Sequence, residues 1–192
     1  MSNDGVNAGR RRFLVAATSV VGAAGAVGVA VPFVGSWNPS AKAKAAGAPV
    51  KADISKIEPG QMVVVEWRGK PVYILRRTPE ALDLIKKADD LLKDPSSAAS
   101  VQPAYAKNEF RAIKDDVLVL VGLCTHLGCA PKYQPEVTTD WLGGFFCPCH
   151  GSKFDLAGRV YNNVPAPTNL EVPPHSYESD SVIIIGVDGG NA

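Results

Sequence analysis

Residues 13–34 constrain this chain more than any other stretch: 22 consecutive positions carry no charge, and Thr18 and Ser19 are their only hydroxyl side chains. Such a run offers no polar face to water and has to be covered by protein or by lipid. As a helix it would extend about 33 Å at about 1.5 Å per residue, enough for a hydrocarbon core of about 30 Å. One transmembrane helix is therefore expected, and it divides the chain into a short N-terminus (residues 1–12), the span (13–34), a flexible linker (35–51) and a head (52–192). Arg10, Arg11 and Arg12 stand just before the span, which places the N-terminus in the cytoplasm and the head across the membrane. The formal charge of the whole chain is only +1. No global field exists to gather nucleic acid, and no such partner is expected.

Arg10, Arg11 and Arg12 followed by Phe13 and Leu14 resemble the twin-arginine export signal, Arg-Arg-x-Phe-Leu. That route carries folded cargo, which suits a domain that must receive a metal cofactor before export. The alternative is a cleaved signal peptide, for which Ala41-Lys42-Ala43 or Ala43-Lys44-Ala45 offers a small-x-small site. The apolar run exceeds the roughly 7–15 residues of a signal core, so a retained anchor in a bacterial inner membrane is expected, with the head on the periplasmic side.

Between residues 36 and 51 small and polar residues take over, with Pro39, Lys42, Lys44, Gly47 and Pro49 among alanines. This reads as a tether whose alanine-rich middle is coil or a short helix. In the head, residues 62–67 and 72–75 are β-branched or aromatic runs around Arg68-Gly69-Lys70-Pro71, a hairpin. Thr78, Pro79 and Glu80 then open a helix as N-cap, first-turn proline and early acid. Its apolar face, Ala81, Leu84, Ile85, Ala88, Leu91 and Leu92, carries the expected helix to about Lys93. A loop follows over residues 94–108. Strand-like runs return at residues 117–122, 141–146 and 182–187, so the head is expected to be mostly β with one helical insertion.

All four cysteines fall between Cys124 and Cys149, a clustering that points to a site. Cys124-Thr125-His126-Leu127-Gly128-Cys129 and Cys147-Pro148-Cys149-His150-Gly151-Ser152 each follow a strand-like run, so two loops meet at one end of a sheet. Cys124 with His126 and Cys147 with His150 supply two thiolates and two imidazoles, a donor set for iron or zinc rather than calcium or magnesium. A tetrahedral zinc staple is one use of that set, and it leaves Cys129 and Cys149 without a role. A dithiol redox motif at Cys147-Pro148-Cys149 is another, and it leaves both histidines unexplained. Two histidines replacing two cysteines on one iron of a two-iron, two-sulfur cluster is the third.

The two six-residue motifs, in this order, resemble the paired-loop signature of Rieske proteins. The resemblance implies a Rieske-type antiparallel β-sandwich head holding one 2Fe-2S cluster, with Cys124 and Cys147 on one iron and His126 and His150 on the other. It further implies a disulfide between Cys129 and Cys149, a pair that low-potential Rieske ferredoxins and ring-hydroxylating oxygenases generally lack. Ser152 resembles the serine that donates to a cluster sulfide, and Leu127 the apolar residue that shields the histidines. Residues 164–167 with Leu170 resemble the proline loop that covers the cluster, and the cluster-binding part would span about residues 117–170.

The anchor, tether and helical insertion are those of the respiratory members of the family. For these the resemblance implies cytochrome b and cytochrome c1-type partners in a dimeric complex. It also implies ubiquinol as electron donor, with His150 and His126 as the chemically active ligands. The small subunit of an arsenite-type oxidase is the nearest rival, but the helical insertion separates it from this chain. In one respect the chain departs from the pattern. Many respiratory members carry a tyrosine two residues after the serine, where this chain has Phe154, and a lost hydrogen bond to a ligand sulfur implies a lowered reduction potential.

Overall fold

The computed structural model describes residue 5 and residues 7–139 and 141–189. The chain divides into two compact units, Met1–Ala45 and Ala46–Ala192. In the first, helix α1 (Ala8–Gly35) includes the three arginines and the whole uncharged run, and none of its residues is buried. It is long and apolar enough to cross a membrane. Asn7 caps it by accepting from the Arg10 N–H at 3.1 Å, and Thr18 Oγ1 returns its proton to the Leu14 carbonyl at 2.8 Å, which removes one of the few polar groups from the surface of the span. Residues 1–4 and 6, the greater part of the stretch expected before the arginines, lie outside the described residues. Helix α2 (Ala41–Ala46) is fully exposed.

Among the described residues, the second unit contains nine strands in three antiparallel three-stranded sheets. Strand β1 (Val50–Asp53) pairs with β9 (Val182–Ile185), which pairs with β8 (His175–Ser179). The middle sheet runs β2 (Met62–Trp67), β3 (Lys70–Arg76), β4 (Val117–Val121), and the smallest runs β5 (Lys132–Gln134), β6 (Gly144–Phe146), β7 (Lys153–Phe154). Strand β4 is buried along its whole length, on both faces, which is why Val117–Val121 is an unbroken apolar run instead of an alternating one. Val72, Ile74, Val117 and Val119 face the core shared with Ile183 and Ile185. Their neighbours Tyr73, Leu75, Leu118 and Leu120 face a second core with Phe145, Phe154, Cys124 and Cys147. The period-two alternation thus sends successive residues into different cores.

Four expectations need correction. Helix α3 (Pro79–Lys87) begins on Thr78 as expected, with Thr78 Oγ1 accepting from the Ala81 N–H, but it stops at Ala88 and tightens into a 3-10 turn, Asp89–Leu91. Leu92 is extended and pairs with Tyr161, because Arg159, buried against Asp155 at 2.8 Å, also holds Asp89 at 2.7 Å and the Ile85 carbonyl at 2.6 Å. A buried guanidinium needs those partners, and the helix end is bent to supply them. The run at residues 141–146 is strand only over Gly144–Phe146; Trp141 instead bridges Thr138 and stacks on Tyr161. The run at 182–187 ends as a strand at Ile185, where Gly186 takes a positive φ of 96° against the Trp67 indole. The linker reading extends to Lys51, but β1 already begins at Val50, since Ala52 packs against Ile183 and Ile185.

Candidate metal centre

Strand β4 leads through Gly122 and Leu123 into the first cysteine loop, and β6 leads directly into the second. Gly122 is required there: a Cβ would lie 2.3 Å from the Tyr73 ring. Tyr73 in turn donates to the Pro131 carbonyl at 2.9 Å, which holds the far side of the first loop.

Each loop closes with the same two backbone hydrogen bonds. The Cys124 N–H donates to the Cys129 carbonyl at 2.7 Å and the Gly128 N–H to the Cys124 carbonyl at 2.9 Å. In the second loop the Cys147 N–H donates to the Ser152 carbonyl at 2.8 Å and the Gly151 N–H to the Cys147 carbonyl at 2.9 Å. Gly128 and Gly151 have φ of 79° and 76°, the left-handed conformation in which a Cβ is disfavoured. Cys129 and Cys149 are joined as a disulfide, with Cα atoms 6.6 Å apart, and this covalent link spans the two loops.

The remaining residues expected at the site converge from these turns. Cys124 and Cys147 are free, buried thiols. The His126 and His150 rings stand perpendicular with centroids 4.7 Å apart. His150 is exposed and His126 half-buried, yet the Nδ1 of His126 is buried with no hydrogen-bond partner. Ser152 is fully buried and Leu127 exposed. Ala166, in the proline segment, donates its N–H to Ser152 Oγ at 3.0 Å, so residues 164–170 do lie over the second loop. Phe154 is buried in the same packed cluster as both free cysteines.

The surroundings of Cys124 keep its thiol protonated until a bound cation offsets the charge. Burial pushes the Cys124 thiol above its ordinary value, the Cys147 thiol beside it adds to the rise, and the His126 amide and Ser152 hydroxyl oppose it. A buried thiol becomes a thiolate ligand when a metal supplies the compensating charge. The orphaned His126 Nδ1 also calls for a partner that the protein does not provide. Both observations fit a cluster ligated by sulfur and nitrogen. The sulfurs of Cys129, Cys147 and Cys149 lie within 4.8 Å of one another, but two of the three belong to the disulfide and carry no thiolate, so that trio is not a metal site.

Several residues that hold the site together carry no signal in the sequence. Thr125 Oγ1 donates to the Thr168 carbonyl at 2.7 Å, tying the first loop to the proline segment. Arg111, fully buried, donates to the carbonyls of Ala157, Gly158 and Leu170 and to Gln102. Burial lowers its pKa to about 10. Asn169 accepts from the Val160 N–H and donates to the Asp94 carbonyl and Ser97 Oγ. Only Thr125 sits inside a recognisable motif.

Fold and site together define a Rieske [2Fe-2S] domain, and that family matches residues 48–174. Residues 1–40 match the family described as "Ubiquitinol-cytochrome C reductase Fe-S subunit TAT signal". Among curated relatives, the ubiquinol-cytochrome c reductase iron-sulfur subunit of Allochromatium vinosum is 59% identical over 197 residues, covering 100% of this chain and 95% of the relative. The subunit of the same name from Blastochloris viridis is 46% identical, covering 96% and 97%. The chain belongs to the family of ubiquinol-cytochrome c reductase iron-sulfur subunits, and its cofactor is a Rieske 2Fe-2S cluster.

Proposed function

We propose that this chain carries electrons from ubiquinol to a cytochrome c1-type haem as the Rieske subunit of a quinol–cytochrome c oxidoreductase, in a dimeric complex with a cytochrome b subunit. Cys124 and Cys147 would hold one iron and His126 and His150 the other. The cluster, when bound, supplies one-electron chemistry at a potential raised by its histidine ligands. The observation that carries this reading is the perpendicular His126–His150 pair at 4.7 Å, with one ring nitrogen buried and orphaned beside two buried free thiols.

The protein's own groups have distinct tasks. An imidazole bound through one nitrogen keeps the other for proton exchange, and His150, being exposed, can accept a hydrogen bond from a quinol hydroxyl and take its proton. Leu127, 71% exposed beside His126, offers an apolar surface that excludes water where the quinol docks. Ser152 would donate to a cluster sulfide, and the disulfide keeps the loops in register. Helix α1 would anchor the chain in a bacterial inner membrane with the head in the periplasm, a reading supported by the three arginines at its start. Residues 36–49 would serve as the tether on which the head moves between donor and acceptor.

The test is electron paramagnetic resonance of the reduced full-length protein with metal analysis of the same sample. A rhombic signal of low average g value with two irons per chain is expected, lost in Cys147→Ser and His150→Ala. One zinc per chain with no signal would leave a metal-stapled structural domain in place of an electron carrier.

A further inference from the structure

The Ala166 residue lies between two partners. Its N–H donates to Ser152 Oγ at 3.0 Å, while its carbonyl accepts from Lys93 Nζ at 2.8 Å. The same ammonium also donates to the Val164 carbonyl at 3.2 Å. Lys93 comes from the helical insertion, far from either cysteine motif in sequence, and its backbone is pinned. The Lys93 N–H donates to the Val160 carbonyl at 2.9 Å, Leu92 bridges Tyr161, and the next carbonyl, that of Asp94, accepts from Asn169 at 2.9 Å. A lysine on a fixed base thus clasps the proline segment from outside.

A hydroxyl has a single proton. Because Ser152 Oγ accepts from the Ala166 amide, its own proton has to point elsewhere, and in the proposed reading it goes to a sulfide of the cluster. The direction of the Ser152 donor therefore depends on where the Ala166 amide is held. That in turn depends on the two carbonyls gripped by Lys93.

We propose that Lys93 is a positioning residue for the cluster: by holding the Val164 and Ala166 carbonyls it sets the Ala166 amide against Ser152, aims the Ser152 hydroxyl at the cluster sulfide and so raises the reduction potential. This rests on the reading of Cys124, Cys147, His126 and His150 as the cluster ligands and of Ser152 as a donor to a cluster sulfide. Hydrogen bonds to the sulfur stabilise the more negative, reduced state, which fixes the sign of the effect.

The experiment is a redox titration followed by electron paramagnetic resonance, on the full-length chain in its membrane, for Lys93→Met, Lys93→Arg, Ser152→Ala and the Lys93→Met/Ser152→Ala double variant. Ser152→Ala lowers the midpoint, Lys93→Met lowers it by part of that shift, and Lys93→Arg restores it. In the Ser152→Ala background, Lys93→Met adds nothing. Hydrogen exchange in the peptide spanning residues 164–170 quickens about tenfold in Lys93→Met, as expected for loss of about one net hydrogen bond. An unchanged midpoint in Lys93→Met alongside a shifted one in Ser152→Ala overturns the role of Lys93 alone. An equal drop from Lys93→Met in both backgrounds overturns positioning in favour of a through-space charge effect. An unchanged midpoint in Ser152→Ala overturns the underlying reading of Ser152. Lys93 is solvent-exposed, and Lys93→Gln, which keeps a donor without the charge, provides a second variant whose midpoint stays above that of Lys93→Met.

Discussion

The two cysteine loops are built on one backbone plan and placed in different surroundings. Each begins at a cysteine whose N–H reaches the carbonyl five residues on, and each turns on a glycine four residues on with φ near 80°. The residue at the fifth step differs. In the first loop it is Cys129, half-buried and joined to the second loop; in the second it is Ser152, fully buried and held by the Ala166 amide. The histidines also differ, one step earlier in the first loop than in the second, and their rings end up perpendicular instead of parallel. The turns are shared, and the unshared fifth residue decides whether that position carries the crosslink, as Cys129 does, or a buried hydroxyl, as Ser152 does.

The largest test of that comparison removes the crosslink. Replacing both cysteines, Cys129→Ser with Cys149→Ser, avoids leaving a stray thiol beside Cys147. A disulfide closing a 20-residue separation contributes about 3 kcal/mol by chain entropy. The double variant is expected to lose about that much stability in denaturant melts and most of its iron in metal analysis. Full iron content would mean that the paired turns hold the loops together without the bond.

Next in size is the equivalence of the two turns. Gly128→Ala and Gly151→Ala place a Cβ in open space, with no atom within 4 Å in either case. What remains is the left-handed conformation, which costs a non-glycine residue about 1–2 kcal/mol. Both variants are therefore expected to lose the same stability to within measurement. A clear difference between them would show that the two turns only look alike.

These turns also mark the limit of what the chain discloses before it is folded. The hairpin of β2 and β3 and the start of α3 follow from local rules, since Gly69 with Pro71 and Thr78 with Pro79 act on their own neighbours. The fold class followed from patterning and from the motif resemblance, and the disulfide from the resemblance alone. The end of α3 did not follow, because it is set by Arg159, a residue distant in sequence whose buried guanidinium draws on Asp89 and the Ile85 carbonyl. Strands β5, β7 and β8 are short and lack an apolar run of their own. The cap over the second loop is held by Arg111, Asn169, Thr125 and Lys93 through carbonyl contacts, and a carbonyl acceptor is present at every position, so it leaves no trace in a sequence.

Phe154 sharpens the contrast in tuning. It follows the second loop on β7, fully buried in one cluster with Cys124 and Cys147, and it can donate to neither sulfur. Phe154→Tyr adds a donor on the side that already has Ser152. One net hydrogen bond of about 0.5–1.5 kcal/mol corresponds to roughly 20–60 mV for a one-electron couple, and the midpoint is expected to rise by that amount in a redox titration. A fall would mean that the new hydroxyl finds no sulfur and only disturbs packing.

The smallest effect is expected at the tip of the first loop. Leu127 is 71% exposed, so shortening it removes little area that folding had buried, and exposed substitutions of this kind change stability by less than about 0.5 kcal/mol. Leu127→Ala should therefore melt with the parent protein and keep its iron and its midpoint. Steady-state quinol oxidation in the assembled complex should nonetheless fall, because an apolar side chain held out in water beside His126 gains its value only when a partner surface covers it. A loss of stability or of cluster would place Leu127 in the construction of the loop, and the two loops would then differ in how they fold as well as in what they face.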